Sequence, residues 1–181
     1  IGFISVISGA TIKNVTFNDS ELTNAESLGG NARGAVIVGW SYACVIDNCH
    51  VINSSVTGCQ KVAGILGSMS VEGATSLNKV TNCSVDGLTI SCNIENDLFQ
   101  SGALIGYIQL INANPNGILI ENNSVKDITF NDDCSDYGNT GYYNGTFIGT
   151  IVRKQQVDGQ KIVLNNNTIS GTNTEVFKTL Y

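Results

Sequence analysis

Five segments of this 181-residue chain align on one asparagine, and that recurrence limits the fold more than any other feature. They are Ile12-Lys13-Asn14-Val15-Thr16-Phe17, Ile46-Asp47-Asn48-Cys49-His50-Val51, Val80-Thr81-Asn82-Cys83-Ser84-Val85, Ile120-Glu121-Asn122-Asn123-Ser124-Val125 and Leu164-Asn165-Asn166-Asn167-Thr168-Ile169. Each reads aliphatic, variable, Asn, variable, polar, apolar. A further apolar residue follows five positions on in four copies, as Leu22, Val56, Ile90 and Phe130, with Thr174 at that place in the fifth. A second landmark alternates with the first, a short apolar run ending in Gly39, Gly67, Gly106 or Gly149. The asparagines step by 34, 34, 40 and 44 residues, so loops of unequal length are inserted into a constant unit.

Helical repeats would show apolar residues at spacings of three and four among good helix formers. These segments are short, rich in Val, Ile and Thr, and bounded by Asn and Gly, which is strand chemistry. A strand–turn–strand unit recurring in this way predicts one all-β domain over residues 1–181, a parallel β-solenoid that starts and ends within a repeat. Stacking coils about 4.8 Å apart sets each aliphatic residue over its equivalent. It also places Asn14, Asn48, Asn82, Asn122 and Asn166 in one ladder. Asparagine tolerates the left-handed backbone of a tight bend, and its amide both donates and accepts along a column, where aspartates would repel.

The rest of the composition narrows the function classes. Charged residues are only 13% of the chain while 42% is hydrophobic, which argues against a largely disordered chain. Polarity comes instead from 22 Asn and 20 Gly, with a single Pro. A net charge of −6 gives no basic face for neutralising phosphates, which argues against a nucleic-acid partner. No apolar run approaches the roughly 18 residues of a membrane-spanning helix.

The two alternating motifs together resemble right-handed parallel β-helix repeats, as in Ile118-Leu119-Ile120-Glu121-Asn122-Asn123-Ser124-Val125. The Gly102-Ala103-Leu104-Ile105-Gly106 type of segment is similar to the GLUG motif of large surface adhesins. The resemblance implies a right-handed parallel β-helix of about five coils with loop insertions, and a cell-surface setting. It implies no particular ligand.

Candidate sites follow from the repeat register. Ile1-Gly2-Phe3-Ile4 matches Ile105-Gly106-Tyr107-Ile108, and neither Ile1–Ile7 nor Val176–Tyr181 carries the polar cap that a solenoid end needs. This predicts head-to-tail contact with copies of itself through those two segments, advancing roughly 24 Å per subunit, or else a cut from a longer repetitive chain. Asp47 and Glu121 share a register two coils apart, about 10 Å, which is wide for the paired carboxylates of a polysaccharide-cleaving enzyme. His50 falls at a hydroxyl-rich position and reads as decoration. No catalytic residue and no cofactor is therefore assigned, and carbohydrate is the alternative partner. Asp132, Asp133 and Asp136 form an acidic stretch without EF-hand spacing, read as a solvated loop before a Ca²⁺ site. Trp40, Tyr42, Tyr107 and Phe3 follow glycine landmarks and are expected to pair structurally rather than to form a sugar platform.

Seven N-x-Ser/Thr sequons begin at Asn14, Asn18, Asn53, Asn82, Asn122, Asn144 and Asn166. Six cysteines and these sequons point to an extracellular or cell-surface protein. Asn18, Asn53 and Asn144 are expected beyond the bend or in insertions, and so to carry glycan. If the ladder amides face inward, Asn14, Asn82, Asn122 and Asn166 stay bare. Cys49 and Cys83 stack at the outer limit of disulfide reach and so can remain buried free thiols, whereas Cys92 with Cys134, and Cys44 and Cys59, are the bridge candidates.

Overall fold

Three-residue strands alternating outward, inward, outward need a neighbour on both edges and a shared interior, and stacked coils supply both. The computed structural model describes residues 1–23, 32–58, 60–71, 78–91, 99–111, 117–131, 142–153 and 161–175. Within them are 24 strands and no helix, wound into five coils. Every strand pairing between coils is parallel.

Five parallel sheets form the sides. Sheet one stacks Ile4–Ser8, Val38–Tyr42, Leu66–Val71, Ile105–Leu110 and Ile148–Arg153. Sheet two stacks Thr11–Lys13, Val45–Asp47, Asn78–Thr81, Ile118–Glu121 and Ile162–Asn165. Sheet three is made of Thr16–Asn18, His50–Ile52, Ser84–Asp86, Ser124–Lys126 and Thr168–Ser170. Sheet four contains Glu21–Thr23, Ser55–Thr57, Thr89–Ser91, Thr129–Asn131 and Thr174–Glu175. Sheet five has four strands, Arg33–Ala35, Lys61–Ala63, Phe99–Gly102 and Tyr142–Gly145. The molecule is a parallel β-helix.

The interior is built of columns. Ile46, Val80 and Ile120 stack in sheet two, Val51, Val85 and Val125 in sheet three, and Val56, Ile90 and Phe130 in sheet four, all buried. Each such side chain removed from water contributes about 1.5–3 kcal/mol. The terminal coils lack one neighbour. Ile12, Val15, Phe17 and Leu22 of the first coil are only partly buried, while Leu164 and Ile169 of the fifth are each 55% exposed.

The glycine landmark has a steric cause. A Cβ at Gly67 would lie 2.7 Å from the Gly34 carbonyl oxygen and 2.8 Å from that of Gly39, and one at Gly106 would lie 2.6 and 2.7 Å from those of Val62 and Gly67. Main chains of successive coils approach too closely there for any side chain. In the first coil this place belongs to Ser5, because Ile4 pairs with Val38 and Val6 with Trp40. This corrects the expected alignment of Gly2 with Gly106, since Ile4 stacks on Val38, Leu66, Ile105 and Ile148. A serine fits at that position in the first coil, where its side chain is exposed. A second correction concerns the fifth coil. Ser170 pairs with Lys126 but Thr174 with Thr129, one residue more than in the other coils, so Glu175 and not Thr174 stands in register with Phe130.

Candidate functional site

All five ladder asparagines stack at the corner between sheets two and three, each with a left-handed backbone (φ 59, 52, 55, 56 and 50° at Asn14, Asn48, Asn82, Asn122 and Asn166). Their side chains face solvent, which overturns an inward ladder. The Asn48 amide donates to Asn14 Oδ1 at 2.8 Å, and that of Asn122 to Asn82 Oδ1 at 3.3 Å. Between them Asn82 donates instead to Asp47 Oδ1 at 2.8 Å. The physical reason is geometric. A single left-handed residue turns the chain by projecting its own side chain outward, and the residue after it turns in.

That inward column is Val15, Cys49, Cys83, Asn123 and Asn167; the stacking of Cys49 on Cys83 is expected from the repeat, the asparagines below them are not. Asn123 Oδ1 accepts from the Cys83 main-chain N–H at 2.8 Å, and its amide donates to the Val80 carbonyl at 2.9 Å. Asn167 repeats the arrangement toward the Asn123 N–H and the Ile120 carbonyl. The doubled asparagines at 122–123 and 166–167 were the available signal, one of each pair serving each side of the corner. Cys49 and Cys83 hold the same column as free, buried thiols. Cys49 Sγ donates to the Asp47 carbonyl at 3.4 Å and Cys83 Sγ to the Thr81 carbonyl at 3.2 Å, and the interaction of the two neighbouring thiols, with burial, pushes Cys83 up. Cys44 is also a free buried thiol, its sulfur donating to the Tyr42 carbonyl at 2.8 Å, rather than half of a bridge. Cys59, Cys92 and Cys134 lie outside the described residues, as do Asp132, Asp133, Asp136 and the segment Val176–Tyr181.

The outward flank of sheets two and three is a set of satisfied polar columns. Lys13, Asp47, Thr81, Glu121 and Asn165 share one register, as expected. Asp47 accepts from Thr81 Oγ1 at 2.7 Å and from Asn82, and faces Lys13 Nζ at 3.6 Å. Those donors, Thr81 foremost, hold its carboxyl below the usual range. Glu121 accepts from Asn165 at 2.6 Å. Thr81 stands between the two carboxylates. His50 is hydrogen-bonded at both ring nitrogens, Nδ1 with Ser84 Oγ at 2.7 Å and Nε2 with Asn48 Oδ1 at 3.0 Å. Among the described residues no three His, Cys, Asp or Glu side chains converge as a metal site would require.

Trp40, Tyr42 and Tyr107 stand on another side, sheet one. Trp40 stacks in register with Val6, Ser68, Tyr107 and Thr150 on sheet one, so Val6 and not Phe3 is its first-coil equivalent. Phe3 packs on Phe17, ring centres 5.0 Å apart. The Arg33 guanidinium lies 3.7 Å over the Trp40 ring, Tyr42 packs against that ring at 4.6 Å, and the indole N–H donates to Ser70 Oγ at 3.1 Å. Lys61 stands 5.2 Å from the Tyr107 ring.

The glycan candidates separate differently from expectation. Asn18 is exposed at the end of a sheet-three strand, and Asn53 is exposed at the next corner with φ 47°. Asn144 is not in an insertion but within a sheet-five strand, in the register of buried Val62 and Ser101. Ser101 Oγ donates to its Oδ1 at 2.6 Å. No family model matches the chain, and comparison with curated proteins and with solved structures gives no significant match.

Proposed function

We propose that the chain is an extracellular structural or adhesive β-solenoid segment, glycosylated, that continues end to end with copies of itself or within a longer repetitive surface protein. The supporting observation is the incompletely covered apolar rung at each terminal coil: Ile12, Val15, Phe17 and Leu22 are only partly buried in the first coil, where Phe3 on Phe17 is itself 69% exposed, and Leu164 and Ile169 are 55% exposed in the fifth. Among the described residues the outermost strands of each sheet pair along one edge only, and open edges seek further strands. The similarity of the glycine segments to the GLUG repeats of surface adhesins belongs to the same reading. Continuation ahead of the first coil is not a seamless copy, because Ser5 brings a Cβ to the column where later coils need glycine.

A polysaccharide-cleaving or polysaccharide-binding flank is the less supported alternative. Asp47 is held ionised by its donors, the opposite of what a general acid requires. One face of Trp40 is already covered by Arg33. Negative-stain electron microscopy of the native material, with X-ray diffraction of aligned samples, tests the structural reading. Rods with a meridional spacing near 4.8 Å are expected. Dispersed short particles at every concentration would overturn it.

A further inference from the structure

Six of the seven sequons frame one sheet. Asn14, Asn82, Asn122 and Asn166 form the exposed corner on one side of sheet three, while Asn18 and Asn53 lie at its other side. The hydroxyls that complete the four corner sequons, Thr16, Ser84, Ser124 and Thr168, stand in one outward register of sheet three. Only Asn144 lies elsewhere, tied to Ser101.

We propose that this flank is N-glycosylated through the ladder itself, and that coil stacking forbids sugar on adjacent coils. The inference rests on the extracellular reading, since the donor is a lipid-diphosphate-linked oligosaccharide of the secretory route. In the transfer, the bond from the anomeric carbon to the diphosphate oxygen breaks and the Nδ2–carbon bond forms. One amide proton goes to a base, and the lipid diphosphate leaves. An asparagine amide has two such hydrogens, and the ladder occupies only one of them, as in Asn122 to Asn82. The corner is therefore compatible with modification while the ladder stays intact.

Spacing sets the pattern. Asn82, Asn122 and Asn166 sit on successive coils about 4.8 Å apart, too close for two branched sugar chains to emerge side by side. Asn14 is separated from Asn82 by the coil of Asn48, which carries His50 where a sequon requires Ser or Thr. Asn18 pairs with Ile52, so it adjoins Asn53 and excludes it in turn. The fullest loading of a folded chain is thus Asn14, Asn82 and Asn166 with either Asn18 or Asn53.

The test is to secrete the chain from a eukaryotic cell behind a cleavable signal peptide and measure both intact mass and occupancy at each site. No molecule should exceed that loading, Asn144 should be bare, and the occupancies of Asn82 and Asn122 should sum to no more than one glycan per chain. Ser84→Ala together with Thr168→Ala, which removes the sequons on both coils flanking Asn122 but keeps Asn82 and Asn166 themselves, should shift the sugar to Asn122. Glycan on Asn144, a summed occupancy above one, or ladder asparagines all bare would overturn the inference. Rod formation by the enzymatically deglycosylated protein is scored separately. Rods with the wrong glycan pattern count against this flank alone, and the right pattern without rods counts against the end-to-end assembly alone.

Discussion

Replacing Gly106 by alanine tests how closely the coils are packed. The new Cβ would meet the carbonyl oxygens of Val62 and Gly67 at 2.6 and 2.7 Å, both main-chain atoms of the preceding coil. Ordinary contact begins at 3.4 Å, so those oxygens must recede by 0.7–0.8 Å, and no rotamer change relieves them. Overpacking usually costs about 1–3 kcal/mol where side chains can shift. Here the parallel ladder between the third and fourth coils must open, so the expected cost is about 3 kcal/mol, the top of that range. In a chain of this size that lowers the thermal midpoint by roughly 6–12 °C. Two controls grade the effect. Gly64→Ala meets the Ala103 carbonyl oxygen at 3.0 Å and the Leu88 and Val85 side chains at 3.2 Å, in a column that also holds Val36, and should cost about 1 kcal/mol, the bottom of that range. Ser5→Ala keeps a Cβ at an exposed place and should be neutral. Urea unfolding followed by circular dichroism gives the energies. Hydrogen exchange should localise lost protection to the third and fourth coils, because solenoid stability is summed over neighbouring interfaces. A Gly106→Ala protein within about 0.5 kcal/mol of the parent would refute the steric account of the column.

Three other perturbations read the corner and the ends. Asn123→Ala strips the buried Cys83 N–H of its acceptor and should cost about 2–3 kcal/mol, whereas Asn122→Gly, at the exposed left-handed neighbour, should cost well under 1 kcal/mol in the same urea titration. Asp47 has its folded carboxyl held below the ordinary 3.8, so its contribution is complete above that pH and is lost as pH falls through the lower folded value; Asp47→Asn should flatten the acid limb of stability between pH 5 and pH 2, apart from the part owed to Asp127, which the Thr172 N–H lowers likewise. Ser5→Gly removes the Cβ that obstructs a coil stacked ahead of the first, so sedimentation velocity should show association at lower concentration than in the parent; identical profiles would count against regular end-to-end stacking.

The parts of the fold legible in the sequence are those that every coil must repeat. Asn14, Asn48, Asn82, Asn122 and Asn166 announce themselves because one backbone conformation is demanded at one corner in each coil, and few residue types meet it. The glycines announce themselves for the opposite reason, since no side chain fits. Direction was not legible. Whether a corner residue faces in or out depends on its φ, and an asparagine suits an exposed left-handed turn and a buried ladder alike, as Asn122 and Asn123 show side by side. The register of the first coil was misread because Ser5 lacks the partner that makes glycine obligatory, so Gly2 became the false landmark. Asn144 was misplaced because its segment has no periodic apolar signal, and only its pairing with Ser101 sets it within a sheet.

The distribution of chain length around the coil shows where variation is tolerated. From the sheet-two register of Thr11, Val45, Lys79 and Leu119 to the end of sheet four, the first four coils use the same number of residues: Thr11–Thr23, Val45–Thr57, Lys79–Ser91 and Leu119–Asn131 are each 13 long. The length differences among these coils therefore enter on the remaining sides, next to sheets one and five. A face of constant length in these four coils can hold a ladder and repeat its sequons at fixed axial intervals. The side that admits insertions keeps its strand columns as well, so it can vary what it presents between strands without disturbing the coil. The cluster of Arg33, Trp40, Tyr42, Lys61 and Tyr107 lies on that second side. The solenoid thus separates a sequon-bearing flank, constant in length over its first four coils, from one of variable length, and the glycosylation proposed above would leave the second flank as the one open to other molecules.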